Sequence, residues 1–451
     1  MVTLPARAAS CAEDYARRAH ETGADLLEIR GDLCPDLSSY AGPLPLLVAP
    51  RGRGQEFVDR FAPRFVDVEV GETISPPLGA GLIRSAHDHD RVPETDDLLR
   101  LIRSLAEESD MVKVAARPRT HADLARLESV RSQAAIDRPL ALLAMGPLAW
   151  PSRMHAAKSD PLVYACLEPA DAAAPGQVPL AALLRVDGEP RLPLLFGLLG
   201  AAGTKSLSPL IHNSLFDFNG MEAFYGLLAG DDLEGAIAVA EQFGFEGLSV
   251  TSPWKRAVFE RCRETSDEAR RHGSVNTLVR DGQQWVGHQT DRIGFEEGYP
   301  DLAGRGRAAV VGSGGVVPSV IAALKNLGVG EIRVYARNGA RRAHLARDFD
   351  VESGRLERLG EDRVDLLVWC LPVDADELAL PGPRGAALAL DLRYGRASSF
   401  AARCAASGFA YRDGLAMLLH QAFAQFRLWT GRTPQAADLA TITARCRSQV
   451  G

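Results

Sequence analysis

Residues 81–116 read GLIRSAHDHDRVPETDDLLRLIRSLAEESDMVKVAA. Two short apolar runs flank a polar stretch whose leucines and isoleucine recur at helical spacing. This is a strand–helix–strand pattern, which implies parallel pairing. Working outward, the same alternation extends to both sides. MVTLPA, DLLEIRGD, LPLLVAPR and FVDVEVG precede the two runs, and PLALLAMG and LVYACLE follow them. CAEDYARRAHETG and HADLARLESVRSQAAID supply further helices. Eight such units are what a closed (β/α)8 barrel requires. The runs fall within residues 1–168, whereas such barrels usually take ~250 residues. Some helices must therefore be short or missing, notably between LPLLVAPR and FVDVEVG.

Past the barrel, VPLAALLRVDG predicts a closing helix. DGEPRLP (187–193) has the turn chemistry of a linker, and LLFGLLG opens a new pattern. Within it, GRAAVVGSGGVVPSVIAALKNLG reads as strand, glycine turn and helix. EIRVYARN, VDLLVWCL and AALALDL continue an α/β sheet. GLAMLLHQAFAQFRLWTG is apolar at helical spacing, which predicts a buried helix.

The chain has 451 residues, enough for two or three domains. Its net charge of −7 offers no global basic field for nucleic acid. The seven cysteines are scattered without a CxxC pair, which argues against a disulfide framework or zinc site and for a reduced, cytoplasmic setting. The first twenty residues lack signal-peptide patterning, and no apolar run reaches the ~20 residues of a membrane span.

Lys113 lies inside the apolar strand DMVKVAA. An ammonium there is costly to bury without a partner. One reading is a barrel-mouth lysine whose amine reaches water. The other is an amine held neutral by desolvation and neighbouring cations, able to attack a ketone and form an imine. His87 ends the preceding strand, at the same mouth, and could serve as base. His87 and His89 share one face and could hold a metal. No third ligand stands nearby, so no metal is expected.

These blocks resemble type I 3-dehydroquinate dehydratase over residues 1–188. LEIRGD, DVEV, SAHDHDRVPETDDLL, DMVKVAA and AAPGQ occur in that family's order. The resemblance implies that Lys113 forms the imine, that His87 moves the protons and that Glu69 orients His87. It also implies that Glu28, Arg30, Arg51, Arg153 and Gln177 bind the substrate. Ala173 stands where the family has a serine, and the strand-three to strand-four connection is unusually short.

In the second half, Gly312, Ser313, Gly314 and Gly315 follow a strand and open a helix, where glycines let the backbone approach a pyrophosphate. Val317 replaces the third glycine of G-x-G-x-x-G, and Pro318 is tolerable in a first helical turn. Arg337 ends the next strand, where NAD-binding folds place an acid. A cation there suggests the 2′-phosphate of NADP, with Arg341 and Arg342 either adding to the pocket or forming a solvated turn.

GLLGAAGTKSLSPLIHN, GLSVTSPWK, GSVNTL, GHQTDRIGF and DGLAMLLHQAFAQFRLWTG, in that order, resemble shikimate dehydrogenase over residues 194–440. By that resemblance Ser206 and Ser208 hold the substrate carboxylate, and Thr251, Asn276 and Gln421 bind ring hydroxyls. Lys255 and Asp291 form the catalytic pair. Tyr394 lies near substrate or nicotinamide, and Gly414 and Met417 line the nicotinamide pocket. Ser249 and Gln289 stand where asparagine is usual, which predicts weaker positioning of substrate or catalytic pair.

The expected organisation is a compact dehydratase barrel (1–188), a substrate lobe (194–302, completed by helices in 412–451) and a Rossmann NADP-binding lobe (303–411). The expected function is bifunctional: 3-dehydroquinate to 3-dehydroshikimate, then to shikimate with NADPH. A scaffold barrel beside an active dehydrogenase, and a quinate- or shikimate-oxidising enzyme using NAD, are the alternatives. Oligomeric state is not legible.

Overall fold

The computed structural model describes residues 1–174, 176–184, 194–395 and 398–450. The linker expected at 187–193 lies outside the described residues. By packing, the chain divides into two units: Met1–Leu195 with Glu222–Phe245, and Phe196–Met221 with Glu246–Gly451.

The first unit contains all eight expected strands: β1 (Val2–Thr3), β2 (Leu27–Arg30), β3 (Leu46–Ala49), β4 (Phe65–Glu69), β5 (Gly81–Asp88), β6 (Met111–Ala116), β7 (Leu140–Ala144) and β8 (Ala165–Cys166). A further pair of residues forms β9 (Val178–Pro179). The order is β7-β6-β5-β4-β3-β2-β1-β8-β9, and neighbours from β1 to β7 pair in parallel. The helices are α1 (Ala12–Glu21), α2 (Gln55–Val58), α3 (Thr95–Ala106), α4 (His121–Gln133), α5 (Trp150–Ser159) and α6 (Leu180–Leu184). The short connection before β4 holds only the single turn of α2, as its length requires.

One expectation needs adjusting. The ladder does not close by strand pairing among the described residues, because β7 and β8 stand apart in the order and β8 is two residues long. Arg153 on α5 spans that seam instead: Nε donates to the carbonyl of Ala144 at 3.1 Å and Nη1 to that of Tyr164 at 3.3 Å. The interior is nonetheless continuous. Met1, Leu47, Ile83, Met111, Leu143 and Tyr164 belong to one buried cluster that draws on both sides of the seam.

This unit also takes in β11 (Ala223–Ala229) and α8 (Leu233–Gln242), which follow β10 (Leu194–Gly200) and α7 (Ser208–Phe218) in the chain. The Trp150 indole Nε1 donates to the carbonyl of Leu227 at 2.7 Å, and its ring packs on Phe224 and Phe245. Gly226 is required there, since a Cβ would sit 2.5 Å from the indole.

In the second unit, β12 (Phe245–Val250), α9 (Lys255–Arg261), β13 (Glu264–Thr265), α10 (Asp267–His272), β14 (Thr277–Asp281), β15 (Gln284–His288) and α11 (Asp291–Gly298) form a mixed layer. β14 runs antiparallel to both β12 and β15. The rest is β16 (Arg307–Val311), α12 (Val317–Asn326), β17 (Glu331–Ala336), α13 (Gly339–Phe349), β18 (Glu352–Arg355), β19 (Arg363–Trp369), β20 (Gly382–Asp391), α14 (Ser399–Ala406) and β21 (Ala410–Arg412). Its strands are all parallel in the order β18-β17-β16-β19-β20-β21. This is the 3-2-1-4-5-6 order of a dinucleotide-binding sheet. Both faces are covered: Ala308 and Val310 of β16 enter one core cluster, Ala309 and Val311 the other. Alternation along a strand produces that division. α15 (Leu415–Thr430) is buried along much of its length, as its apolar spacing predicts, and α16 (Ala436–Val450) ends the chain.

Candidate active sites

A cavity of about 270 Å³ opens at the C-terminal ends of the barrel strands, where sites of this architecture sit. Glu28 and Arg30 come from β2, Arg51 follows β3, Glu69 ends β4, His87 lies on β5, Lys113 on β6 and Arg153 on α5. Gln177 precedes β9. The structure brings all eight together in the cavity wall. Residues two apart on one strand share a face. Lys113 is opposite Ser85 and His87 opposite Ala115, so the amine lies one layer deeper than the imidazole.

Lys113 is only 4% exposed, so its amine does not reach water as the first of the two readings has it. Nζ lies 2.7 Å from Asp67 Oδ2, 4.0 Å from Glu28 Oε1 and 4.2 Å from the ring centroid of Tyr164. Burial pulls the amine below its ordinary range, the two carboxylates pull it back up, and Arg51 lowers it. Its nearest charged neighbours are thus anions, where cations were expected. His87 Nδ1 is 3.1 Å from Glu69 Oε1. Burial lowers the imidazole, Glu69 opposes that shift, and Lys113 and Arg51 reinforce it. His89 stacks on His87 with ring centroids 5.9 Å apart. No group of three or more metal-ligating side chains occurs among the described residues.

The arginines differ in what they have left to offer. Arg51, at φ 48°, donates to Asp67 and Glu69, both at 2.9 Å. A non-glycine residue in that region is strained, and such strain collects at functional sites. Arg30 forks onto Asp32 at 3.0 and 2.6 Å. Arg153 commits two nitrogens to backbone carbonyls, and burial lowers it to about 10. Gln177 Oε1 accepts from the amide of Ala173 at 2.8 Å, holding the last loop against the cavity.

Two residues were not foreseen: Tyr164 in the cavity wall, and Asp67, bonded to Lys113 and Arg51. Asp67 has a sequence signal, since it sits two positions before Glu69 on β4 and must share its face. Tyr164, with a buried hydroxyl that has no partner among the described residues, has none.

A second cavity, of about 260 Å³, lies within the second unit. Ser206, Ser208, Thr251, Lys255, Asn276, Asp291, Tyr394, Gly414, Met417 and Gln421 all line it. Lys255 opens α9 and Asp291 opens α11, with Nζ 2.5 Å from Oδ2. The other oxygen of Asp291 accepts from Asn276 Nδ2 at 2.8 Å. Gln289 accepts from the amide of Asp291 at 2.9 Å and donates to Ser274 at 3.0 Å. Ser206 Oγ accepts from the amide of Ser208 at 3.1 Å, aiming two hydroxyls from one turn.

Gln425 was not foreseen. It sits one helical turn beyond Gln421 on α15, hence on the same face. Its Oε1 accepts from Ser249 at 2.9 Å, and its Nε2 donates to the carbonyl of Asn276 at 3.1 Å and to Thr277 Oγ1 at 3.0 Å.

Gly312, Ser313, Gly314 and Gly315 form the turn between β16 and α12, with Gly312 at φ 132°. A Cβ on Gly314 would meet nothing within 4 Å, and one on Gly315 would be 3.7 Å from the Lys255 side chain. The turn is thus an open cradle at a helix N-terminus, adjacent to the lysine, as a pyrophosphate requires. Arg337, directly after β17, is exposed, as is Arg341. Arg342 donates instead to the carbonyl of Ala336 at 2.9 Å. Gly414 must be glycine, because a Cβ would approach the Leu392 carbonyl to 2.2 Å.

Residues 55–186 match the type I 3-dehydroquinase family. Residues 198–278 match the shikimate dehydrogenase substrate binding domain, and 414–438 the shikimate 5′-dehydrogenase C-terminal domain. The chain is 35% identical over 270 residues to a shikimate dehydrogenase (NADP(+)) of Oleidesulfovibrio alaskensis, covering 56% of this chain and 96% of that protein. It is 31% identical over 319 residues to the bifunctional 3-dehydroquinate dehydratase/shikimate dehydrogenase, chloroplastic, of Arabidopsis thaliana, covering 61% of this chain and 52% of the relative. A crystal structure of shikimate 5-dehydrogenase from Thermus thermophilus in complex with shikimate superposes with a TM-score of 0.50 at 30% identity, over 56% of this chain and 98% of that one.

Proposed function

The chain belongs to the shikimate dehydrogenase family and carries a type I 3-dehydroquinase segment ahead of it, and from that premise we propose how its two cavities divide a bifunctional dehydratase–dehydrogenase reaction. At the barrel mouth, Lys113 attacks the ketone of 3-dehydroquinate and forms an iminium. The iminium draws electrons from the adjacent carbon, so its C2 proton becomes removable. His87, neutral because it is buried, takes that proton and delivers it to the departing C1 hydroxyl, which leaves as water. Glu69 holds the imidazole through Nδ1. Arg30, Arg51, Arg153, Glu28 and Gln177 bind the carboxylate and hydroxyls, with guanidinium forks suited to the carboxylate.

The product, 3-dehydroshikimate, is the ketone that the second cavity reduces to shikimate. Ser206 and Ser208 take its carboxylate, and Thr251, Asn276 and Gln421 take its hydroxyls. Bound NADPH supplies the hydride. Gly312, Ser313, Gly314 and Gly315 would hold its pyrophosphate, Arg337 its 2′-phosphate, and Gly414, Met417 and Tyr394 would flank its nicotinamide. Lys255, paired with Asp291 at 2.5 Å, stabilises the oxygen that becomes an alkoxide and gives it a proton.

The observation that carries this reading is the pairing of each lysine: Lys113 buried beside an imidazole–carboxylate pair, Lys255 clamped to Asp291. Such a built barrel site favours catalysis over a scaffold role. Arg337, with no acid beside it in the ARN turn, favours NADP over NAD. Seven unpaired cysteines fit a reducing cytoplasm, and no helix among the described residues is long and apolar enough to cross a membrane.

The test is a single cuvette containing 3-dehydroquinate, NADPH and the chain. Loss of reduced cofactor is expected, together with a borohydride-trapped adduct on Lys113. No adduct would refute the dehydratase assignment, and oxidation of quinate with NAD in preference to shikimate with NADP would refute the second.

A further inference from the structure

Asp67 is the group that touches the reacting nitrogen most closely, and neither the family resemblance nor the expected chemistry gives it a task. It is fully buried on β4. One oxygen, Oδ2, takes both Lys113 Nζ at 2.7 Å and Arg51 Nη2 at 2.9 Å. Ser85, opposite Lys113 on β5, also favours the carboxylate form of Asp67 through its hydroxyl. Glu28, the next carboxylate, is 4.0 Å from Nζ, beyond hydrogen-bond reach.

Iminium formation starts with an ammonium and ends with a cation on the same nitrogen, but between those states the nitrogen must be neutral to attack. Resting on the imine reading above, we propose that Asp67 is a further catalytic residue of the dehydratase site: it accepts a proton from Nζ as Lys113 attacks and remains as counter-ion of the iminium. The steps balance. Nζ gives one proton to Asp67, and the C–N bond forms. A second nitrogen proton moves to the former carbonyl oxygen, and Asp67 returns its proton as that oxygen leaves as water. Two of the three ammonium protons end in the water, the iminium keeps one, and Asp67 begins and ends as a carboxylate. The remaining iminium N–H still points a donor at an acceptor already in place.

Asp67→Asn keeps the shape and removes the charge. Wild-type chain with 3-dehydroquinate and borohydride should give the Lys113 adduct, and its absence would sink the imine reading rather than this one. Given that adduct, Asp67→Asn should form it about 10²-fold more slowly, the size of a lost proton-transfer group. The acid limb of adduct formation should move to lower pH, because the amine loses the anion that favours its ammonium. Asp67→Glu should recover part of the rate. Shikimate oxidation by the same variant chains, at the other cavity, reports folding. Adduct formation at the wild-type rate, or a slower rate with an unmoved pH limb and no recovery in Asp67→Glu, would overturn the proposal. If Asp67→Asn fails to fold, Asp67→Ser takes its place: an adduct rate and pH limb equal to wild type would overturn the proposal, and a slowed rate with a limb moved to lower pH would support it.

Discussion

His87 is pulled in two directions by its surroundings. Burial disfavours its cation and Glu69 favours it, with burial the larger effect, so the folded value falls below the ordinary 6.5. A base must be deprotonated to act. Dehydration should therefore hold steady as pH drops from 8 towards 6.5 and decline only once the lowered value is passed. Glu69→Gln removes the opposing influence, so its acid limb should move further down in pH while the rate itself falls, because the ring loses its anchor. A kcat profile for dehydration against pH checks both, and a limb above 6.5 would contradict a buried neutral imidazole. The same neighbourhood shows what one chain of letters discloses. Lys113 stands out as a charge inside an apolar strand. Asp67 was equally readable, since period-two alternation in VDVEV puts it on the face of Glu69. Tyr164 was not, because an aromatic at the start of a strand reads as core whether or not its hydroxyl faces a site.

Strand β12 and helix α15 meet through an exchange of side-chain lengths. Ser249 is short where the resemblance leads one to expect asparagine, and Gln425 reaches across from α15 to bond its hydroxyl at 2.9 Å. The same carboxamide ties the carbonyl of Asn276, whose side chain holds Asp291. A carboxamide thus still lines the cavity that holds Lys255 and Asp291, delivered from the helix instead of the strand. Both residues are buried, so a longer side chain at 249 collides with Gln425. Ser249→Asn alone should lower kcat/KM for shikimate about tenfold, or ~1.4 kcal/mol. Adding Gln425→Ala should restore most of it, with a coupling of about 0.5–3 kcal/mol between the sites. Additive losses in that double-mutant cycle would show the two side chains to be independent. Local patterns captured each element here, GSGG as a glycine turn and GLAMLLHQAFAQFRLWTG as a buried helix. They were silent on the compensation because it joins residues 176 positions apart.

The two cavities draw on different units, and each is lined by residues expected for one of the two reactions. The alternation of strands and helices disclosed the two parallel sheets, and the order β18-β17-β16-β19-β20-β21 is that of a dinucleotide-binding fold. What alternation could not disclose is that Glu222–Phe245 packs with the first unit, since that depends on Trp150 finding the Leu227 carbonyl. This separation has a direct consequence. A Lys113→Ala chain should keep shikimate oxidation at the wild-type rate and lose dehydration. A Lys255→Ala chain should do the reverse, losing at least about 10²-fold in ketone reduction. Neither alone should consume NADPH when supplied with 3-dehydroquinate. Mixed in equal amounts they should consume it, after a lag that shortens as total protein rises, because the intermediate must leave one chain and find another. A mixture that stays inactive while each variant retains its own half-reaction would mean that the intermediate cannot be exchanged between chains, and that the sites do not operate as separate enzymes.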